Sequence, residues 1–424
     1  MIKLNLFKWK LGLLATLLTS TIVLEAQPII RSLSLEEALQ SAVQNNKQVA
    51  IAQTDAAIAK SNFNQTDAIW LPQVNLSHTA YSTNNPLNVF GFKLQQANVQ
   101  QSDFNPVLLN NPKEFSNYTT QLALQQPLIN LDAIYMRKAA KVQMGIYDAQ
   151  AQRTIEAIKM QVVQSYLLLE FSYQYEKVTK EGLNTIQSIY KFTKDRFNQG
   201  MMQKSDLLNV EVQVKAAVLQ NSQAKTQIEN VSDQLSLLMG NAKGVVYTIH
   251  PYQLGNNQKM ADSVSKDRSD IRALAAAVNS YDVAIKSTKM GWAPKLNAFA
   301  NYTINDKSIA IAGAKSYIAG VQLSWDIFKG NQIKNKSATQ KLEKVKVEQQ
   351  LNNQIENSNA EIRKTNRAIV DASNKIEQQS IAVQQAEEAL RILQNRYEQG
   401  LVSTNDILVA QTQLSQQKLL LAQA

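Results

Sequence analysis

Two hydrophobic periods alternate along this chain. Between Asn331 and Gln399 there are 69 residues without a glycine or proline. Within them Ile355, Ile362, Ile369, Ile376, Val383, Leu390 and Tyr397 recur at every seventh position. A sustained seven-residue period means a helix supercoiled against its neighbours, and at 1.5 Å per residue this one would run about 100 Å. An earlier line, Ile155, Val162, Leu169, Glu176, Leu183, Tyr190 and Phe197, has the same spacing, broken only by Glu176. Each run ends at a glycine, Gly200 or Gly400, a residue that can take the left-handed conformation closing a helix. Ser205 or Asp206, and Thr404 or Asn405, are candidate caps for the helix that returns.

Upstream of each long run the period falls to two. Leu296, Ala298, Ala300, Tyr302 and Ile304 alternate with Asn297, Asn301 and Thr303, with Phe299 out of pattern. On the way back Tyr317, Ala319, Val321, Leu323, Trp325 and Ile327 alternate with Gly320, Gln322, Ser324 and Asp326. Val74, Leu76 and Ala80, then Leu122 and Leu124, repeat this more faintly. Strands of about ten residues, apolar on one face and polar on the other, suit a transmembrane barrel; a soluble, half-buried hairpin has the same pattern. A helix precedes each pair, one opening at Ser34-Leu35-Glu36-Glu37 and running towards Ile69, the other covering about 267–290.

The same order therefore occurs twice. DRFNQGMMQKSDLLNVEVQ at 195–213 and NRYEQGLVSTNDILVAQTQ at 395–413 align 200 residues apart. Trp70-Leu71-Pro72-Gln73-Val74-Asn75 and Trp292-Ala293-Pro294-Lys295-Leu296-Asn297 align 222 apart. A self-similarity this long is duplicated architecture. It divides the chain into a first repeat at 27–240, a linker at 241–265 and a second repeat at 266–424. Residues 1–26 read as a signal peptide, with Lys3, Lys8 and Lys10 before the apolar Leu11–Val23. Because Leu124 and Leu323 align only 199 apart, the first strand pair holds 23 extra residues (222 − 199) within Tyr81–Tyr118. They form either a disordered insertion or a lid over a pore mouth. By the same alignment the final helix stops about 16 residues short of its counterpart, which continues to Gly240.

Composition narrows the chemistry. There is no cysteine, hence no disulfide, thiol nucleophile or acylated N-terminal Cys. The net charge of +10 is dispersed among acidic residues on helical stretches, so it describes a solvated surface and not a nucleic-acid site. His78 falls in a strand and His250 beside Pro251, neither with a catalytic neighbour in sequence. No enzyme, cofactor or metal is expected. An exported chain without a helical or acyl anchor is either soluble in the periplasm or held in the membrane as a β-barrel.

Four strands cannot close a barrel, and open edges cannot face lipid. The expected fold mixes α and β: three chains closing a twelve-stranded transmembrane barrel, four strands from each, continued by a long α-helical coiled-coil barrel in the periplasm. Three is the smallest number that leaves a conduit. With the duplicated Trp-x-Pro segments, Gln126-Pro127-Leu128 and the paired glycine turns, the chain resembles the TolC family of outer-membrane efflux proteins over nearly its whole mature length.

That resemblance implies an outer-membrane homotrimer in contact with lipid, docking a periplasmic adaptor and an inner-membrane pump and performing no chemistry itself. Drug or metal efflux and type I protein secretion stay open as alternatives, with a soluble periplasmic coiled-coil adaptor as the reading outside the class. The resemblance also implies a periplasmic gate in which Tyr397 bonds Asp206 and Asp406 faces the axis. There Asp406 either forms a cation-binding ring or merely caps a helix; Val409 stands where the family can carry a second aspartate. The adaptor-docking tips would include Arg196, Gly200, Leu208, Arg396, Gly400 and Leu408.

Overall fold

A computed structural model describes residues 29–241, 244–250 and 260–424. The expected signal peptide and residues 242–243 and 251–259 of the expected linker lie outside them. Two compact units emerge, and they do not follow the repeats. One comprises Lys47–Ala157 and Asn257–Val370; the other comprises Met1–Asn46, Ile158–Asn256 and Asp371–Ala424. Each draws on both copies.

The elements in chain order are β1 (Ile29–Leu33), α1 (Leu35–Asn45), α2 (Lys47–Gln65), β2 (Gln73–Thr83), α3 (Pro86–Gln95), α4 (Pro106–Asn110), β3 (Phe115–Ile129), α5 (Leu131–Asn198), α6 (Lys204–Met239), β4 (Val245–Ile249), α7 (Ser269–Met290), β5 (Lys295–Asp306), β6 (Ala314–Ser324), α8 (Gln332–Glu398) and α9 (Thr404–Gln423). α8 matches the expected run 331–399 to within a residue, because no proline interrupts its i to i−4 ladder, and α5 contains the expected heptad line but begins well upstream of it, at Leu131. Among the described residues no helix is long and apolar enough to cross a membrane.

In the first unit four antiparallel strands form one sheet in the order β2-β3-β5-β6. Its register places Leu76, Leu122, Tyr302 and Tyr317 in one row, and Val74, Leu124, Ala300 and Ala319 in the next. Directly opposed residues share a face, so these two rows are apolar across all four strands, while the row His78, Thr120, Ile304 and Lys315 on the same face is mixed. Leu76 is 70% exposed and Tyr317 83%. The other face carries rows such as Ser77, Gln121, Thr303 and Ser316. Phe299 breaks the alternation because it stands opposite Gly320, where its ring lies against the bare backbone; a Cβ there would come within 3.1 Å of the ring. Strand β6 ends at Ser324, earlier than the alternation suggests. Trp325, just beyond, donates from Nε1 to the Trp292 carbonyl at 3.0 Å and meets the Trp292 ring edge-on.

The extra residues of the first strand pair are folded, not disordered. Asn85 and Asn105 each cap a short helix begun by the proline that follows, α3 and α4. In the same unit Arg268 holds Asp270 with two bonds of 2.6 and 2.7 Å, and Gln354 donates to that carboxylate. Together they depress its pKa to about 2, the Arg268 bond being the larger cause.

In the second unit β1 and β4 pair in parallel. Neither strand was expected, and β4 replaces part of what reads as linker. Tyr166, 1% exposed, donates to the Leu33 carbonyl at 3.1 Å and the His250 carbonyl at 3.0 Å. The single helix expected from Ser34 towards Ile69 is broken at Asn46. That residue is extended (φ −66°, ψ 128°), and its Nδ2 donates to the Leu238 carbonyl at 2.8 Å. Gly240 closes α6 with φ 66°; a Cβ there would sit 2.5 Å from the Asn45 carbonyl oxygen, so no other residue fits.

Candidate functional site

Both long helices end in the same backbone device. Gly200 (φ 77°) bonds the Phe197 carbonyl while Met201 bonds the Arg196 carbonyl. Gly400 (φ 76°) bonds the Tyr397 carbonyl while Leu401 bonds the Arg396 carbonyl. This is a Schellman closure, and it explains why glycine stands at both positions. The returning helices begin differently from each other and earlier than expected. Ser403, not Thr404 or Asn405, caps α9, in a reciprocal box with Asp406. The Ser403 hydroxyl and amide reach the carboxylate at 2.7 and 3.0 Å. Gln203, not Ser205 or Asp206, precedes α6 and makes no side-chain cap.

Tyr397 is 2% exposed. Its hydroxyl pairs with Thr193 Oγ1 at 2.7 Å and Thr404 Oγ1 at 3.1 Å. The bond to Asp206 implied by the resemblance is not made within the chain, because two threonine hydroxyls already occupy the tyrosine. Asp206 instead lines a cleft of about 480 Å³ with Asn209, Gln213, Thr404, Asn405 and Gln413. Asp406 is exposed, and the hydrogen bond from the Ser403 hydroxyl, then that from the Ser403 amide, hold its carboxyl below the usual carboxylate range. Within one chain Asp406 acts as a cap.

The expected docking residues divide by copy. The Arg196 guanidinium stacks on Phe192 at 4.6 Å and donates to the Glu398 carbonyl, tying the two turns together. Arg396 is exposed and makes no such tie among the described residues. Leu408 is a core residue, 9% exposed, clustered with Ile189, Val210, Leu390, Ile407 and Leu414. Leu208 is 49% exposed. At the turn apices Met201 and Leu401 are 70% and 69% exposed. Sequence reasoning passed over them, although they are apolar residues directly after the aligned glycines.

A second arrangement lies where β2 ends and β3 begins. Gln96, closing α3, donates through Nε2 to the Ser116 carbonyl, Asn117 Oδ1 and the Asp306 carbonyl at 3.1, 2.8 and 3.2 Å. Asn117, fully buried, donates in turn to Thr119 and Asn305. Phe92 packs on Tyr81 at 5.5 Å. Asn117, Thr119, Asn305 and Tyr81 all belong to the polar face of the sheet, so the insertion is folded onto that face. Lys93 pairs with Asp103 at 2.6 Å across it, and this bond is the main reason the Asp103 carboxyl is held low.

The sequence profile of the outer membrane efflux protein family matches residues 38–241 and 261–424. Among functionally curated proteins no relative matches. Three solved structures share the fold at low identity. The CmeC outer membrane channel of Campylobacter jejuni is 18% identical with a TM-score of 0.78, covering 92% of this chain and 82% of its own. The outer membrane protein VceC of Vibrio cholerae is 16% identical with a TM-score of 0.76, covering 92% of each. CusC, described with its transmembrane channel formation, is 15% identical with a TM-score of 0.74, covering 91% of this chain and 87% of its own.

Proposed function

The chain belongs to the outer membrane efflux protein family, and on that footing we propose that three copies build one passive export duct through the outer membrane. The observation that carries this is the sheet. Strands β2 and β6 each leave one edge unpaired, one face carries exposed apolar rows, and the opposite face is mostly polar. Lipid accepts the apolar face but not an open edge, whose N–H and C=O groups would have no partner. Four strands from each of three copies close the circuit. At a strand spacing near 4.8 Å and a tilt near 40°, such a barrel has a backbone radius of about 12 Å. Its polar face lines the lumen.

The insertion sits on that lumenal face. A helix is about 10 Å across, so three inward-folded insertions would fill much of the interior of a barrel about 24 Å across its backbone. They narrow the extracellular mouth. At the periplasmic end, the turns at Gly200 and Gly400 present the entrance and the surface for a periplasmic adaptor, which couples the duct to an inner-membrane pump. Met201 and Leu401 are the quasi-equivalent apolar contacts there. Arg196 and Leu408 serve inside the chain instead. Asp206 and Asp406 flank this entrance, and Asp406 adds negative charge beside the axis.

Mass measurement in detergent, corrected for bound detergent, tests the assembly. Three chains per particle are expected. A monodisperse monomer that retains its β-sheet signal overturns the proposal.

A further inference from the structure

The fold gathers positive charge that reads as dispersed along the sequence. Sixteen residues flank each strand of the four-stranded sheet at the end facing the helices α2, α5, α7 and α8: 57–72, 130–145, 279–294 and 325–340. Together they hold nine Lys or Arg and four Asp or Glu, a net +5 (9 − 4), which is half of the +10 of the whole chain. The connections at the opposite end, 84–114 and 307–313, hold three basic and two acidic residues, a net +1 (3 − 2). Trp70, Trp292 and Trp325 stand half-exposed at the basic end. Indole rings at the border of an apolar band mark the depth of lipid headgroups.

Within this basic belt lies a cavity of about 410 Å³, walled by the start of α5, the end of α7, the start of β5 and the start of α8. Lys295, Lys329 and Lys336 line it, with Asp132 the one acidic group in its wall. Lys295 is held by Asp132 at 2.6 Å, and Lys329 pairs with Asp326, which stands outside the wall. Lys336 is exposed and has no ion pair among the described residues. Met136 and Ile333 give the cavity an apolar side. The wall therefore suits a small anion attached to something apolar.

We propose that this cavity binds the phosphate of an anionic phospholipid. Lys336 and Lys329 supply the charge, and Lys295, fixed by Asp132, forms the rest of the basic wall. A phosphorylated solute in the duct brings the same chemistry. The lipid is favoured because Gly291 in the wall adjoins Trp292, and because lysines beside a membrane border extend to headgroups and attract the anionic ones. The proposal rests on the membrane placement of the sheet, not on the number of copies.

Apart from Trp9 in the expected signal peptide, the chain has no tryptophans but these three, so their fluorescence reports on this region alone. The full-length protein is reconstituted in phosphatidylcholine vesicles that contain an equal minor share of brominated phosphatidylglycerol or brominated phosphatidylcholine. The brominated phosphatidylglycerol should quench about twofold more strongly, through enrichment beside the lysines. Lys329→Gln with Lys336→Gln, both at exposed positions, should remove that excess and leave quenching by phosphatidylcholine unchanged. Lys336→Gln alone, which breaks no ion pair, repeats the measurement should the double variant misfold, and should lower the excess. Equal quenching by the two lipids overturns the proposal, as does an excess that survives the substitutions. An excess abolished by inorganic phosphate, but not by chloride at equal ionic strength, assigns the cavity to a soluble phosphate and overturns the lipid. If neither brominated lipid quenches, the sheet lies outside the bilayer and the duct reading falls as well.

Discussion

The turns at 199–203 and 399–403 share one backbone and have different neighbourhoods. Both put glycine in the left-handed region and close the helix with the same two bonds. Beyond the glycine they diverge. Serine caps the second with an aspartate in a reciprocal box, while glutamine stands uncapped before the first. Tyrosine is buried and bonded before the second, while phenylalanine stands half-covered before the first. Duplication has kept what the backbone demands and released what the surroundings decide. The glycine that matches across copies therefore reports on the turn. A residue that differs reports on what covers it, the chain itself or another molecule.

The two strand pairs extend the comparison and provide its largest expected effect. One is joined by the folded insertion, the other by the short connection between Asp306 and Ala314. Replacing residues 86–112 by a short Gly/Ser linker makes the pairs alike. Single-channel conductance in a planar bilayer should then rise several-fold, since three insertions, each at least one helix of about 10 Å across, leave the lumen. Unchanged conductance would place the narrowest point elsewhere.

At the turns, Leu408→Ala should lower stability by about 2–5 kcal/mol, the usual cost of emptying a buried leucine site. Leu208→Ala is the informative partner. Measured on assembled protein by thermal unfolding in detergent, a comparable loss means that Leu208 is covered by another copy. A change within about 0.5 kcal/mol, typical of surface positions, means that it faces water or an adaptor. A smaller effect is expected for Tyr397→Phe, about 1–3 kcal/mol, because it leaves the Thr193 and Thr404 hydroxyls facing a ring edge in a buried site. Phe197→Tyr, the reciprocal change, should leave unfolding nearly where it was.

How far the sequence could be read follows the same division. The second long helix was legible to within a residue, since 331–399 holds neither glycine nor proline and carries one heptad line; α5 contains Gly145 and Gly182, and its heptad line from Ile155 marked its course and its end but not its start at Leu131. The strands of the sheet were legible from alternation, and the insertion from the mismatch between the 222 and 199 offsets. The break at Asn46 was not, because neither proline nor glycine marks it; the Leu238 carbonyl, almost two hundred residues away, imposes it. Strands β1 and β4, five residues each, escaped for the same reason, each being defined by the other. Arg196 and Arg396 look alike in sequence, and only the fold reveals that one is engaged and the other exposed. The Thr193 hydroxyl that takes up Tyr397 has no counterpart at Leu393, so the repeat itself gave no hint of it.

The smallest effect separates the two aspartates that align at the turns. Asp406 has its pKa lowered by the Ser403 hydroxyl and amide. A carboxylate with a lowered folded pKa adds stability that is complete above its unfolded value, near 3.9, and is lost as pH falls through the folded value. Fraying of the first turn of α9 should therefore set in below about pH 4. Hydrogen exchange of the 403–407 amides, followed down a pH series and corrected for intrinsic rates, should show protection falling there in the wild type. In Asp406→Asn protection should be reduced already at neutral pH and lack that acid step. The 203–207 amides, where the residue before the helix makes no side-chain cap, serve as the comparison. Should the two turns lose protection together, the capping box is not what distinguishes them, and the role of Asp406 has to be sought in its charge.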